Sequence, residues 1–127
     1  MIHRHFAQRK LQQSKGFTLL ELLVVVAVLG TLAAIVIQQF VIYRSRVIDT
    51  QMRSALKSAA VAMESYFADF QSYPSSVPSI TAVGYRPTSG VALAINVISN
   101  TTFTLTASKP SGTQPSYSFD SVTGLIN

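Results

Sequence analysis

The sequence contains no cysteine among its 127 residues, and this absence excludes disulfides, thiolate metal sites and thiol catalysis. Histidine is nearly absent as well, since His3 and His5 are its only two examples. There is no glycine-rich phosphate loop, and no serine or threonine forms a recognisable pattern with a base. Because catalysis needs a nucleophile or an acid with a positioned partner, we predict that the chain is not an enzyme and that it uses no cofactor and no metal.

Acidic residues are also scarce, and the bases are unevenly placed. The whole chain contains five acidic residues and ten lysines and arginines. The first 16 residues contain no acid and four of the bases: Arg4, Arg9, Lys10 and Lys15. Without this segment, six basic and five acidic side chains remain, a net charge of +1. The pI of about 9.9 therefore does not indicate DNA binding, because most of the excess charge lies in the first 16 residues.

The dominant feature that is present is an apolar run from Phe17 to Ile37. Four of its residues interrupt the apolar pattern: Thr18, Glu21, Gly30 and Thr31. A helix of this length rises ~30 Å, the thickness of a bilayer hydrocarbon core, so we predict a transmembrane helix over 17–38. A charged side chain costs roughly 2.5–3.5 kcal/mol at the centre of such a helix and less near an end. Glu21 therefore needs a partner and is the first candidate for a binding residue.

The basic residues before the apolar run indicate its orientation. The positive-inside rule places them in the cytoplasm and the rest of the chain outside. An ordinary secretory signal is cut after its apolar run, and Ala33 and Ala34 are small residues that a conventional signal peptidase accepts. That reading leaves the Gly16–Phe17 pair and Glu21 without an explanation, so we rank it lower.

The segment KGFTLLE, from Lys15 to Glu21, resembles the prepilin-peptidase signature of type IV pilins and of type II secretion pseudopilins. A basic leader ends in Gly16, and Phe17 follows it. Glu21 is the fifth residue after Gly16, and the apolar run begins at Phe17. The resemblance implies that residues 1–16 are a cleaved leader, that Phe17 becomes N-methylated, and that Glu21 neutralises the Phe17 amine of a neighbouring subunit. The alternatives are an ordinary signal anchor that contains one Glu, and a Glu21 that snorkels to the cytoplasmic face.

Residues 39–70 predict an amphipathic continuation of the helix. The apolar residues recur at steps of three and four: Met52, Ala55, Leu56, Ala59, Met63, Tyr66, Phe67 and Phe70. Pro74 requires the helix to end before it. Many pilins have a proline where Gln38 stands, and its absence here predicts a straighter helix at that point. Gly30 is then the candidate for helix flexibility.

The remaining residues predict a loop and a small sheet. Residues 71–90 are rich in Ser, Pro and Gly and predict an exposed connecting loop. Alternating apolar residues predict strands over 91–98, 102–108 and 116–120. Residues 122–126 end the sheet or pack across it. The predicted fold class is α+β, with the long N-terminal helix packed on an antiparallel β-meander of three to four strands within 91–127, as in the pilin fold.

The resemblance implies a structural subunit of a type IV pilus filament that prepilin peptidase processes and that polymerises through its N-terminal helix. Its expected partners are further copies of itself, the peptidase that also methylates, the pilus assembly platform and, before assembly, the inner membrane. After assembly the subunit is extracellular, and adhesion, twitching motility or DNA uptake belongs to the whole machine.

Three alternatives stay open: a minor pilin, a type II secretion pseudopilin, and a membrane-anchored binding domain that does not polymerise. Major pseudopilins usually have an acidic calcium-binding loop near the C-terminus. In this chain Asp120 is the only acid after Asp69, which favours the pilus.

Overall fold

The structure is a computed structural model that describes residues 16–127. Its elements are the helices α1 (Leu19–Phe70) and α2 (Val77–Ala82) and the strands β1 (Ala92–Ser99), β2 (Thr102–Ser108) and β3 (Ser116–Asp120). This order confirms the predicted α+β class. The described chain divides into two compact units, one that ends at Ile37 and one that comprises Gln38–Asn127. The predicted leader, except for Gly16, lies outside the described residues.

Helix α1 buries one stripe of its second half against the sheet. The buried residues of the helix are spaced by three or four positions: Ile48, Met52, Ala55, Leu56, Ala59, Ala62 and Met63. The predicted stripe is therefore confirmed up to Met63. Beyond it, Tyr66 and Phe67 are half-buried and Phe70 is 60% exposed. Phe70 instead packs on Tyr66 one turn earlier, with the ring centroids 4.4 Å apart.

The helix assignment continues through Gly30 and Gln38 without interruption. The mid-helix residue at 38 therefore keeps a backbone N–H that a proline would lack. The straightness expected around Gln38 stays a prediction.

The three strands form an antiparallel sheet in the order β1-β2-β3. Ile95 lies opposite Leu105, which in turn lies opposite Phe119. Because alternate residues of a strand share a face, these side chains and their neighbours two residues away point at α1. A fourth strand does not form within the described residues. The C-terminus adds one bridge, Phe119 to Ile126, and two backbone hydrogen bonds between Ser118 and Asn127.

The hydrophobic core lies between α1 and the sheet. Its largest fully buried side chains come from α1, α2 and β2: Met52, Leu56, Met63, Ile80, Phe103 and Leu105. Every buried residue of the described chain is apolar or tyrosine, and no buried polar or charged side chain outside tyrosine accompanies them. The core therefore gains its stability from apolar burial and close packing.

The segment 71–90 differs from the exposed loop that its composition predicts. It contains the short helix α2, which begins after Ser76 with a proline in its first turn. Ile80 and Tyr85 are buried in the core, and burial raises the pKa of the Tyr85 hydroxyl. Ser and Pro dominate the average composition of this segment, so the average does not reveal that two isolated residues, Ile80 and Tyr85, are buried.

A line of aromatic rings closes the core near the end of α1. Phe67 stacks on Tyr73 and Tyr73 packs against Phe103, both at 4.7 Å between centroids. The Tyr73 hydroxyl donates a 3.0 Å hydrogen bond to Glu64 Oε1. Burial, this hydrogen bond and the negative charge of Glu64 together raise the pKa of Tyr73.

The turn between β2 and β3 is held to α1 by polar contacts. Asp49 accepts hydrogen bonds from the backbone amide of Thr113, at 2.8 Å, and from its hydroxyl. Lys109 Nζ donates to Gln51 Oε1 at 2.7 Å and to the Ser89 carbonyl at 3.0 Å. These bonds join segments that are far apart in the sequence, and they set the position of the turn against the helix.

Candidate functional site

The first turn of α1 is built around a reciprocal pair of hydrogen bonds between Thr18 and Glu21. Thr18 directly precedes the helix, and its Oγ1 accepts from the Glu21 amide at 3.2 Å. In return, Glu21 Oε2 accepts from the Thr18 amide at 3.2 Å. This is a capping box, in which two of the amides that have no partner within the helix are satisfied. The helix therefore begins at a defined residue immediately after Phe17.

The capping box determines where the Glu21 carboxylate lies. It is drawn back towards the start of the helix, and together with Gly16, Phe17 and Thr18 it lines a shallow concavity of about 370 Å³. A carboxylate at a helix N-terminus is also favoured by the helix dipole. Glu21 thus lines the same concavity as Phe17, whose backbone nitrogen becomes an amine if the chain is cut after Gly16.

The predicted cleavage residues are open to solvent. Phe17 is 89% exposed, and a Cβ built on Gly16 meets no atom within 4 Å. Gly16 and Phe17 also precede the first helical residue, so the peptide bond between them belongs to non-helical chain. Accessible, irregular backbone of this kind is what a protease requires.

No other described part of the same unit packs on the apolar segment that follows the capping box. From Phe17 to Ile37 its large apolar side chains are 50% to 89% exposed. Helix α1 is long and apolar enough to cross a membrane, by length and composition. A continuous apolar surface of this size marks a site for lipid or for another protein. Its side chains require one of these two environments.

The structure brings three of the four predicted site residues together. Gly16, Phe17 and Glu21 line one concavity, whereas Gly30 lies further along the helix, with nothing within 4 Å of an added Cβ. Thr18, the partner of Glu21, was not predicted from the sequence. The signal was present, since Thr-x-x-Glu before an apolar run is the sequence pattern of a capping box.

Across residues 16–127, no group of three or more His, Cys, Asp or Glu side chains is close enough to hold an ion. The chemistry available at the helix start is therefore that of one carboxylate, one exposed peptide bond and an apolar surface.

These features define a class of protein: one with an exposed apolar N-terminal helix, a carboxylate in its first turn, an exposed Gly–Phe bond before it and a small α+β unit after it. Comparison with known proteins agrees. Residues 11–37 match the family described as the prokaryotic N-terminal methylation motif. The chain is 33% identical over 104 residues to the type IV wide pilus major component PilA4 of Thermus thermophilus, covering 81% of this chain and 79% of that protein. The chain belongs to the type IV pilin family.

Two further relatives show the breadth of that family. The type II secretion system core protein G of Pseudomonas aeruginosa is 36% identical over 77 residues, 61% of this chain and 54% of that protein. The type IV major pilin protein PilA of Myxococcus xanthus is 35% identical over 78 residues, 61% of this chain but 34% of that protein. The chain thus spans about half and a third of these two relatives. Members of this family are structural pilin or pseudopilin subunits and not enzymes.

Proposed function

We propose that this chain is the structural subunit of a type IV pilus filament. The observation that carries the proposal is the exposed apolar surface of 17–37, with its single carboxylate, Glu21, fixed by the capping box at the helix start. Such a helix is stable in lipid and equally stable against identical helices, since exchanging lipid contacts for helix contacts costs little hydrophobic free energy. The same surface then serves first as a membrane anchor and later as the core of a filament.

Maturation and assembly follow from the helix start. Prepilin peptidase removes residues 1–16 in the inner membrane and methylates the new amine of Phe17. The Phe17 amine of the preceding subunit is a cation, and the Glu21 carboxylate of the incoming subunit is its counter-ion. Pairing in a helix-packed, poorly solvated core is worth more than pairing at a surface, because water does not screen it. One unpaired carboxylate in that core would be costly.

The proposed organisation of the chain has five parts. These are a leader over 1–16, an assembly helix over 17–38, its amphipathic continuation over 39–70, a connecting segment over 71–90 and a sheet over 91–127. The leader stays cytoplasmic, and the other parts cross or lie outside the inner membrane until the assembly platform incorporates the subunit. Gly30 provides the one weak point of the assembly helix.

Replacing Glu21 tests this function, and the choice of substitution separates its charge from its capping role. Glu21→Gln keeps an oxygen that can accept from the Thr18 amide but removes the negative charge. We expect processed Glu21→Gln protein to accumulate in the membrane and to be lost from the filament fraction sheared from cells. Asp120→Asn is the matched control, because it removes one negative charge outside the helix, and it should assemble normally. Normal assembly of Glu21→Gln would contradict the proposed role of the charge.

A secretion pseudopilin is the second candidate, because a type II secretion core protein G is among the relatives. A pseudopilin subunit would be processed at the same bond yet would be absent from the sheared surface fraction. The lack of further acids after Asp69 apart from Asp120 supports the pilus, since an acidic calcium loop cannot be built there.

A further inference from the structure

The two edges of the sheet differ in how the chain covers them. The outer edge of β3 pairs with the C-terminus, where Ser118 and Asn127 exchange two backbone hydrogen bonds. At the outer edge of β1, between Leu93 and Val97, no hydrogen bond arrives from any other segment of residues 16–127. The chain therefore closes one edge of its sheet and leaves the other edge open.

The register of the sheet determines which backbone groups of β1 lie at the open edge. The Phe103 amide donates to Ser121 Oγ at 2.8 Å, and the Phe103 carbonyl accepts from the Ser121 amide at 3.1 Å. The backbone groups of Phe103 therefore point away from β1. Val97 lies opposite Phe103, so its own amide and carbonyl point away from β2. Because backbone groups alternate in direction along a strand, Leu93 and Ile95 also point theirs at the open edge.

Strand β1 lacks most of the features that usually protect an open edge. Exposed edges are commonly protected by charged residues, prolines, bulges or a very short length. The eight residues ALAINVIS of β1 contain no charge and no proline. The one irregularity in its pairing with β2 lies near the end of the strand, between Val97 and Ser99. The preceding residues are thus a regular, uncharged template for another strand.

The core-facing row of β1 is incompletely covered. Leu93, Ile95 and Val97 pack against the core but are only half-buried. The residues opposite them on β2 are at most 1% exposed: Ala107, Leu105 and Phe103. A further strand beside β1 would cover the half-buried row, and removing apolar surface from water is favourable.

We propose that β1 pairs in the antiparallel direction with β1 of a second copy of this chain, with Ile95 opposite the same residue of that copy. In this register Leu93 lies opposite Val97 of the second copy, so the residues with free backbone groups all meet each other. Each such pair exchanges two hydrogen bonds, and the three pairs form about six. A register shifted by two residues leaves Leu93 or Val97 without one of these partners.

The chemistry of the strand selects a second copy as the occupant. The pairing has two-fold symmetry, so one contact closes the open edges of both copies and goes no further. No like charges meet across it, because β1 has no charged residue. Opposite residues share a face of the sheet, so the half-buried apolar rows of the two copies form one continuous row.

The symmetry also determines where this pair forms. The two-fold axis is perpendicular to the joined sheets, so the segments of α1 packed on the two sheets run in opposite directions. Copies within one filament run in the same direction. The pair therefore joins subunits of two filaments that lie side by side in opposite directions. The inference rests on the proposed filament and assigns β1 to lateral association between filaments.

Cross-linking between separately prepared filaments tests the pairing. Ala94 lies opposite Asn96 of the second copy on the exposed face of the sheet, in a pair with Cα atoms ~4.5 Å apart. Since the chain has no cysteine, Ala94→Cys and Asn96→Cys filaments contain only the introduced thiol. We expect oxidation of mixed filaments to give a disulfide-linked dimer. Either type alone should give about tenfold less, because identical positions lie roughly 8 Å apart, beyond the reach of a disulfide.

Substitution of Ile95 gives a second measurement without cysteine. Ile95→Pro removes an amide at the open edge and spares the hydrogen bonds to β2, as for prolines tolerated on edge strands. Ile95→Ala is the matched control, since it also shortens the side chain but keeps the amide. Low-speed centrifugation should pellet wild-type and Ile95→Ala filaments as bundles, and about tenfold less of the Ile95→Pro filaments.

Two results would overturn the inference. One is a mixture of the two cysteine filaments with no more dimer than either type alone. The other is Ile95→Pro filaments that pellet like the Ile95→Ala control. Absence of the wild-type chain from the sheared fraction would instead contradict the filament itself. The two cysteine variants are then mixed as detergent-solubilised chains, where a dimer specific to the mixture supports pairing of β1 and its absence refutes it.

Discussion

Asp49 on α1 accepts a 2.8 Å hydrogen bond from the amide of Thr113, 64 residues later in the sequence. The Thr113 hydroxyl donates to the same carboxylate and lies 3.3 Å from the Tyr117 hydroxyl. This contact ties the turn between β2 and β3 to the helix. A chain without disulfides thus uses a carboxylate, a turn amide and a hydroxyl where a cross-link would otherwise serve.

Acid should weaken this contact selectively. Burial raises the pKa of Asp49, but hydrogen bonding by Thr113, Tyr117 and Gln114 together outweighs it, so the folded pKa lies below the ordinary 3.8. A lowered folded pKa contributes stability above pH 3.8, and this contribution is lost as the pH falls through the folded pKa. Thermal unfolding of the detergent-solubilised protein should therefore show a steeper loss of stability below pH 4 in the wild type than in Asp49→Asn. Equal slopes for both proteins would show that the carboxylate charge is not linked to folding.

Gly112 has to be a glycine because the turn approaches the helix closely. A Cβ at this position would lie 2.7 Å from Asp49 Oδ1 and 2.9 Å from both the Gln114 carbonyl and Met52 Cε. Gly112→Ala should lower the free energy of unfolding by about 1–3 kcal/mol, the usual cost of overpacking.

Gly30→Ala is the matched control for that experiment, because an added Cβ meets nothing there. It should leave the thermal midpoint of the second unit unchanged. A Gly112→Ala protein as stable as this control would mean that the turn can shift away from the helix without cost.

Leu56 tests whether packing of α1 on the sheet determines the stability of the second unit. Its side chain is fully buried in the core, so Leu56→Ala should cost about 2–5 kcal/mol. Val61 lies five residues later and is 71% exposed, so Val61→Ala should change stability by less than about 0.5 kcal/mol. Chemical denaturation monitored by tyrosine fluorescence compares them, and similar midpoints would argue against the described packing.

The capping box predicts a local effect that leaves the rest of the chain unchanged. Thr18→Ala removes the oxygen that accepts from the Glu21 amide, and loss of such a cap costs about 1 kcal/mol. Hydrogen exchange at the Glu21 amide in detergent should then quicken about fivefold, whereas Thr18→Ser should preserve the protection. An unchanged exchange rate in Thr18→Ala would mean that the first turn is held by other contacts.

Periodicity predicted most of the fold because the strands and the helix each bury one face. The observed limits of β2 and β3, Thr102–Ser108 and Ser116–Asp120, coincide with the alternating runs in the sequence. Helix α2 was not predicted, because its six residues are too few to show a repeat and include a proline. Contact between Asp49 and Thr113 could not be predicted either, since it depends on the register of the sheet against the helix.

The helix start was predicted in part. The Gly16–Phe17 pair and Glu21 stand out in the sequence because a charge interrupts an apolar run. The reciprocal bonds with Thr18 are a local, four-residue pattern and could have been predicted from the sequence.

The most direct test of the account is mass spectrometry of the N-terminus of protein sheared from the surface of cells that produce this chain. We expect a chain that begins at Phe17 with one methyl group on its amine. Such a result would place cleavage after Gly16 and export as a filament in one measurement. A chain that begins at Met1 and stays in the membrane fraction would contradict the account and leave Glu21 as an unexplained charge in a membrane anchor.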